Sequence, residues 1–235
     1  HSSVGDIVRE YQAKNQHIVY KKIENKGIAA NTNAAAELAS GEYLALADHD
    51  DILAPHAMYT MSQAIRQLRE AGEPDGFLYS DEALFTKKIE KPLVAHFKPD
   101  YAPDYLLCCN YICHLAVFRR ELFEQVGGER PECDGSQDHD LFLRLIEQVG
   151  GAAIAQVLYY WRVHEGSTSG GTDAKPYVAK AAKKALADHL ERTGRTGTIE
   201  DGLYPSTYRV RWDIGGAEVS ILIPNKDHTE DLEKC

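Results

Sequence analysis

The chain has 235 residues, of which 43% are hydrophobic and 26% charged, the balance of a globular protein with one large domain or one domain and part of another. Its 26 basic and 36 acidic residues give a net charge of −10, which argues against nucleic acid as the main partner but allows a phosphate ligand neutralised by a metal ion. No run of about 18 apolar residues occurs, so no segment is expected to span a membrane.

The first eighty residues alternate between helix and strand signals. Apolar residues at helical spacing mark the helices, whereas the run at 43–47 is continuously apolar, which is typical of a strand buried on both faces. In chain order we expect a helix end at 6–13, a strand at 17–23, a helix at 27–39, the strand at 43–47, a helix from Pro55 to Gly72 and a strand at 77–79.

The rest of the chain continues this alternation after a loop at 86–104 that is rich in proline and lysine. The predicted elements are a strand at 114–118, helices at 120–126 and 138–149, a strand at 154–163, a mobile Gly-, Ser- and Thr-rich segment at 165–171, a helix at 175–193 and strands at 208–212 and 219–224. Strands that alternate with helices predict an α/β fold with a mostly parallel sheet flanked by helices.

Three carboxylates follow the predicted strand at 43–47: Asp48, Asp50 and Asp51. In open α/β sheets, ligands bind beyond the carboxyl ends of the strands, which is where these side chains fall. Carboxylates this close repel one another unless a cation lies between them, and oxygen ligands suit Mg²⁺ or Mn²⁺, which could bridge a diphosphate leaving group. The competing interpretation is that Asp50 or Asp51 caps the next helix, which would explain one aspartate but not three.

A second acidic cluster lies at 135–140 and contains Asp138. Acidic residues are common at helix starts because the helix dipole favours them, so a structural role is one interpretation. The other is that the loop places Asp138 in a cleft, where its carboxylate can take a proton from an attacking hydroxyl.

A third cluster follows the predicted strand at 154–163. Arg162 could pair with a phosphate, and His164 could be a further metal ligand or contact a phosphate, although a single histidine is more often a surface residue. The glycine-rich segment that comes next could act as a closing lid.

The five cysteines form no CxxC pair and do not indicate a disulfide framework. Reduced, buried thiols are the favoured interpretation. The alternative is a zinc site of Cys109, Cys113 and His114, whose spacing fits no zinc pattern well.

Eight short motifs reach in order from the first third of the chain towards Ser169. They are Glu24-Asn25-Lys26-Gly27-Ile28, Gly41-Glu42-Tyr43, Asp48-His49-Asp50-Asp51, Tyr79-Ser80-Asp81-Glu82, Phe97-Lys98-Pro99-Asp100, Asn110-Tyr111, Gly135-Ser136-Gln137-Asp138 and Trp161-Arg162-Val163-His164. This ordered set resembles the family 2 glycosyltransferases with the GT-A fold, in particular bacterial enzymes of polysaccharide and O-antigen assembly.

The resemblance implies a role for each matching side chain. Asp50 would bind Mn²⁺ or Mg²⁺ with His164 as a further ligand, and Asp138 would be the catalytic base. Asn110 would lie near the sugar or the acceptor. The residues expected to contact the nucleotide sugar are Asn25, Lys26, Asp48, Asp81 and Arg162. His164 and Ser167 would belong to a late loop that closes on the diphosphate.

The implied reaction is a metal-dependent, inverting transfer from a nucleotide-diphosphate sugar to a saccharide or lipid-linked acceptor in cell-surface polysaccharide synthesis. The acceptor hydroxyl attacks the anomeric carbon, Asp138 takes its proton, and the diphosphate leaves in a single displacement. By the same resemblance we expect a cytoplasmic location, with the inner face of the membrane left open, and no nucleic-acid partner.

The ends of the chain depart from the family pattern. The family begins with a strand that ends in Ile-Pro and a polar turn, and a similar motif occurs here at 219–227, where Asn225 would contact the nucleotide. We expect a transferase domain at 1–200 that lacks its first strands, a linker and strand at 201–218, and the start of a following transferase domain at 219–235. The strand at 221–223 could complete the sheet of its own chain or, in a strand-swapped homodimer, that of a second copy.

Two other functions stay open at this point. A catalytically crippled sugar-nucleotide-binding fragment would carry the same motifs without the loops that hold the base. Metal-dependent phosphohydrolases with an aspartate nucleophile also place Asp-x-Asp after a buried strand. They have Thr or Val soon after the second aspartate, however, and this chain has Asp51-Ile52-Leu53 there.

Overall fold

The computed structural model of the chain describes residues 3–164, 176–216, 218–227 and 229–234, so the predicted mobile segment at 165–171 lies outside the described residues. The helices in these ranges are α1 (Val4–Gln12), α2 (Ile28–Ala36), α3 (Ala57–Ala71), α4 (Pro103–Cys108), α5 (Arg120–Gln125), a 3₁₀ turn (Pro131–Cys133), α6 (Gln137–Val149), α7 (Pro176–Arg192) and α8 (Thr229–Leu232). The strands are β1 (Tyr43–Ala45), β2 (Ile52–Leu53), β3 (Phe77–Phe85), β4 (Val94–His96), β5 (Ala116–Arg119), β6 (Ala152–Arg162), β7 (Gly197–Asp201) and β8 (Tyr208–Trp212).

One sheet organises the chain, with the strand order β1-β5-β3-β6-β2 and with β4 paired to the second half of β3. β3 and β6 are parallel, whereas the other pairings described in this sheet are antiparallel. The α/β fold is therefore as expected, but the sheet is mixed rather than mostly parallel. β1, β3 and β6 still share one direction, so their carboxyl ends face the same edge of the sheet.

β3 is a central strand and buries side chains on both faces. Phe77 and Tyr79 face the larger core, which contains α6 and α7, while Leu78 faces a smaller core against α3, because successive side chains of a strand point to opposite sides. The prediction that 43–47 is buried on both faces is wrong. β1 lies at the edge of the sheet, and only Leu44 of its three residues is buried.

The predicted helices correspond to α1, α2, α3, α5, α6 and α7 within a few residues at each end. α3 ends as predicted at Gly72, whose positive φ of 73° is a conformation that glycine adopts without strain. Met61 is buried in the smaller core, whereas Met58, one turn earlier in α3, is 46% exposed. None of the described helices combines the length and the apolar composition needed to cross a membrane.

Two predicted strands do not form. Residues 17–23 and 219–224 form no strand and pair with none among the described residues, and Val19 and Leu222 are 63% and 89% exposed. The segment at 221–223 therefore does not complete the sheet of its own chain here. Its pairing with a second copy and its place in a following domain stay predictions. β7 and β8 form a separate antiparallel pair, of which only β8 was expected.

Candidate active site

The segment after β1 is tied to β6 through its last aspartate. The Asp51 carboxylate accepts hydrogen bonds from the Tyr159 hydroxyl and from the backbone N–H of Arg162, both at 2.7 Å. The Tyr159 hydroxyl also accepts the backbone N–H of Asp48 at 3.0 Å. Since α3 begins without a side-chain cap, the interpretation of these aspartates as helix caps is wrong. Asp51 instead fixes the conformation of the segment that carries the other two.

Asp50 faces His164, which follows β6. Asp50 Oδ2 lies 3.0 Å from His164 Nε2, although the two residues are 114 positions apart in the chain. Both side chains reach solvent, at 31% and 50% exposure. Arg162 donates through Nε to the backbone carbonyl of Asp50 at 2.6 Å and stacks over the Phe85 ring. The structure thus brings the two predicted metal ligands together. Arg162 supports the backbone beside them, and its contact with the nucleotide sugar stays a prediction.

His114 lies between two carboxylates. Its Nε2 is 3.6 Å from Asp48 and its Nδ1 is 3.4 Å from Glu82, while its ring stacks on Tyr159 with centroids 4.8 Å apart. Burial alone would lower the pKa of His114, but hydrogen bonding and charge from Asp48 and Glu82 raise it to about 9. In return, His114 lowers the pKa of Asp48. The sequence predicted no such role, because both partners lie on other parts of the sheet.

One group of three side chains in the described part of the chain has potential ligand atoms within 4.8 Å of one another: Asp48, Asp51 and His114. Each nitrogen of His114 already faces a carboxylate, and Asp51 already accepts two hydrogen bonds. His114 Nδ1 is nevertheless buried without a hydrogen-bond partner, so this group is not fully satisfied and is a second candidate site for a divalent ion. Cys109 and Cys113 do not join it, so the zinc alternative gains no support from the geometry.

A buried ion network lies beneath His114. Glu82 is 2% exposed and contacts Lys98 Nζ at 3.3 Å and His96 Nδ1 at 3.0 Å. Burial alone would raise the pKa of Glu82, but His114 and Lys98 lower it to about 2. Asp81 is also buried, and its carboxylate accepts the backbone N–H of Lys98 at 2.8 Å. In this structure Asp81 supports the loop after β4, and its contact with the sugar stays a prediction.

Asp138 lies partly exposed in the first turn of α6, where the helix dipole favours a carboxylate. Its Oδ2 accepts a hydrogen bond from Asn110 Nδ2 at 2.8 Å, and its Oδ1 accepts the N–H of His139 at 2.8 Å. The two following residues are buried anchors. His139 Nε2 lies 2.8 Å from a carbonyl oxygen of α4, and Asp140 pairs with Arg144 at 2.6 Å. The Asp138 carboxylate is therefore held in one orientation on a fixed helix end.

The loop at 24–28 packs against the loop that leads to α6. Asn25 Oδ1 accepts the N–H of Gly27 at 3.2 Å, and the Asp134 carboxylate accepts the N–H of Ala29 at 2.9 Å. Lys26 is exposed. Asn25 and Lys26 thus lie beside the loop that carries Asp138, which is compatible with their expected contact with the nucleotide sugar but does not test it.

Asn225 follows the exposed segment at 219–224. It is exposed, and no hydrogen bond within the described ranges joins it to another candidate residue. Its contact with a nucleotide stays a prediction.

Comparison with known proteins identifies the family of the chain. The model of the family described as "Glycosyl transferase family 2" matches residues 2–127, which is more than half of the chain. The chain is 39% identical over 236 residues to the uncharacterized protein y4gI of Sinorhizobium fredii, covering 97% of this chain and 25% of that protein. It is 32% identical over 229 residues to the O-antigen biosynthesis protein RfbC of Myxococcus xanthus, covering 96% and 18%. The chain thus spans a quarter or less of the length of these relatives.

Among solved structures, the fold is similar to that of residues 1–349 of TarS from S. aureus. The TM-score is 0.51 at 13% identity, and the match covers 90% of this chain and 84% of that one. At this identity the likeness concerns the fold alone, and it agrees with the GT-A-like α/β fold expected from the sequence. With the family match reaching from the first helix to the end of α5, the chain belongs to glycosyl transferase family 2.

Proposed function

We propose that this chain transfers a sugar, with inversion, from a nucleotide-diphosphate sugar to a hydroxyl of a saccharide acceptor, using a divalent metal ion. The observation that carries the proposal is the meeting of Asp50 and His164 at 3.0 Å after two strands that run in the same direction. Membership of the family supports glycosyl transfer. The name of the relative RfbC, an O-antigen biosynthesis protein, supports a cell-surface polysaccharide as the product. Synthesis at the cytoplasmic face of the membrane, on a saccharide or lipid-linked acceptor, is part of the same proposal.

The side-chain atoms of Asp50 and His164 suit a divalent metal ion as ligands. Mg²⁺ holds its ligands at about 2.0–2.1 Å in octahedral geometry, so two neighbouring ligand atoms lie about 3 Å apart. The 3.0 Å between Asp50 Oδ2 and His164 Nε2 matches that separation, and we assign both as ligands of Mn²⁺ or Mg²⁺. When bound, the ion supplies positive charge that stabilises the departing diphosphate. Asp48, two residues before Asp50 and 3.6 Å from His114, is the residue we assign to contact with the nucleotide sugar.

Asp138 acts as the base. The Asn110 amide occupies one lone pair of Oδ2, so the orientation of the carboxylate is set while other lone pairs stay available to an acceptor hydroxyl. As the hydroxyl oxygen bonds to the anomeric carbon, its proton passes to Asp138. The bond from the anomeric carbon to the phosphate oxygen breaks, and its electron pair leaves with the diphosphate. One displacement inverts the anomeric centre without a covalent bond to the protein.

The test measures release of nucleoside diphosphate from a panel of UDP-, GDP- and dTDP-sugars with Mn²⁺, with Mg²⁺ and with EDTA. We expect turnover only with a divalent ion. Asp138→Asn should lower kcat by about 10²- to 10⁴-fold, the usual contribution of a positioned base, while donor binding persists. Asp50→Asn and His164→Ala should weaken metal-dependent donor binding itself.

His49→Asn is the matched control for the acidic segment. The His49 side chain is 98% exposed between the two aspartates, so its replacement should leave turnover unchanged. Turnover that survives EDTA would contradict the metal assignment, and an active Asp138→Asn variant would contradict the base. Donor binding with no turnover under any condition would favour the crippled binding fragment. Release of orthophosphate from phosphomonoesters would favour the phosphohydrolase.

A further inference from the structure

A cavity of about 560 Å³ lies beside Asn110 and is lined by residues of β4, of the loop that follows it and of the end of β6. Four aromatic side chains line it together with a few polar groups. The aromatic residues are Phe97, Tyr105, Tyr111 and Trp161. Its size falls within the roughly 300–1,000 Å³ of small-molecule sites, and aromatic walls with a few convergent polar atoms are the usual composition of such sites.

Contacts within the protein hold part of the aromatic wall in place. The rings of Tyr105 and Tyr111 are stacked with centroids 4.9 Å apart and an angle of 3° between their planes. The Tyr111 hydroxyl accepts the backbone N–H of Ala102 at 3.1 Å and lies 3.3 Å from the Tyr79 hydroxyl. Even so, Tyr105 is 47% and Phe97 78% exposed. Large aromatic faces held open to solvent at one place indicate a ligand with an apolar face of its own.

The polar floor of the cavity selects a neutral ligand. Lys98 is the lysine among the lining residues. Its side chain is 3% exposed, and its ammonium group contacts Glu82 and the carbonyl oxygens of Ile112 and His114. His96 pairs with the same glutamate. Since these charges are already balanced within the protein, the cavity offers no open cation to a phosphate or a carboxylate.

The position of the cavity separates the acceptor from the donor. Asn110 lines it and donates to Asp138 at 2.8 Å, so a hydroxyl at that end lies next to the proposed base. Asp48 and Asp50, which face the donor, are not among the lining residues. We propose that this cavity binds a neutral pyranose ring of the saccharide acceptor, with the stacked pair of Tyr105 and Tyr111 as its platform. That this ring belongs to the acceptor rests on the proposed function, whereas the binding of a sugar ring rests on the cavity itself.

Binding can be measured without donor or metal. In a Trp212→Phe background, Trp161 is the remaining tryptophan and lines the cavity, so its fluorescence reports occupancy. The probes are methyl pyranosides and disaccharides of glucose, galactose, mannose and rhamnose at millimolar concentrations, followed in parallel by saturation-transfer NMR. We expect at least one neutral glycoside to shift the emission. Tyr105→Leu should weaken its binding roughly tenfold, about the value of one aromatic contact. Tyr59→Leu, which removes a 68% exposed tyrosine from α3, should not.

The kinetic readout separates this inference from the proposed function. In the transfer assay, Tyr105→Leu should raise KM for the acceptor while metal-dependent hydrolysis of the donor is unchanged. Two outcomes would contradict the acceptor site without contradicting the transferase. One is donor hydrolysis by a protein whose Trp161 fluorescence no glycoside changes. The other is that Tyr105→Leu and Tyr59→Leu affect glycoside binding equally. Glycoside binding that depends on Tyr105, in a protein inactive with every donor, would support the sugar site and contradict the transferase.

Discussion

Asp140, two residues after the proposed base, is fully buried and receives two guanidinium groups. Arg144 donates to its Oδ2 through Nε at 2.9 Å and Nη2 at 2.6 Å, and Arg130 donates to it as well. Arg144 also donates to the carbonyl oxygens of Val126 and Gly128, both at 2.8 Å. The carboxylate therefore joins α6 to the loop after α5. Replacing it in Asp140→Asn keeps the volume and removes the charge.

The two arginines set the size of the effect. Arg130 keeps a second carboxylate in Asp188 at 2.7 Å, but the other ion pairs of the described residues give Arg144 no partner besides Asp140. The Arg144 side chain is only 7% exposed, so the variant leaves one cation buried without an anion. Removing one partner of a buried pair costs about 3–5 kcal/mol, and since asparagine retains one acceptor oxygen we expect about 3 kcal/mol. At roughly 2–4 °C per kcal/mol for a chain of this size, Tm should fall by about 6–12 °C.

The chain offers a matched control in α5. Arg120 and Glu124 form an ion pair with the same four-residue spacing at 2.8 Å, but their side chains are 38% and 60% exposed. Glu124→Gln should therefore cost no more than about 0.5 kcal/mol. Urea unfolding of the wild type and both variants, followed by circular dichroism, gives the two values side by side. If Asp140→Asn lowers the free energy of unfolding no more than Glu124→Gln does, burial does not make the ion pair of Asp140 and Arg144 more important for stability than an exposed pair.

Further predictions concern pH, backbone and metal. Burial, with Asp138 nearby, raises the pKa of Glu129 from 4.5 to about 7. The contribution of Glu129 to folding stability is therefore full below pH 4.5 and is lost as the pH rises towards 7. Glu129→Gln should remove this decline from Tm measured between about pH 5 and 8. In Gly27→Ala a Cβ would overlap the Asp134 carboxylate at a φ of 105°, so urea unfolding should show a loss of about 1–3 kcal/mol. Mn²⁺ should raise the Tm of the wild type but not that of Asp50→Asn.

Much of the scaffold around the site follows from local pattern. The spacing of apolar residues at 138–149 places Leu141 and Leu145 in the core, where both are fully buried. The glycine at 72 ends α3 because a left-handed residue there costs glycine little. Such features depend on residues within a few positions of one another, which is why a single sequence contains them.

Strand prediction failed where pairing decides the outcome. The segment at 17–23 has a strand-like composition, but a strand exists only when a neighbour supplies hydrogen bonds, and none does so in the described part of the chain. The apolar run at 43–47 indicates that a strand forms there, not whether the strand is central or at an edge. For the same reason the sequence did not predict the position of His114 between two carboxylates, because the sheet brings these carboxylates to it from other parts of the chain.

The aspartates after β1 show what spacing can and cannot assign. By spacing alone, Asp48, Asp50 and Asp51 are equivalent carboxylates within four positions, and only the family resemblance singled out Asp50 as a metal ligand. In the fold they have separate partners, because Asp51 accepts two hydrogen bonds from β6 and Asp48 faces a buried histidine. Asp50 alone of the three faces His164. The spacing therefore predicts that an acidic site exists at this edge of the sheet, while the different partners of the three aspartates are side chains that lie far from them in the sequence.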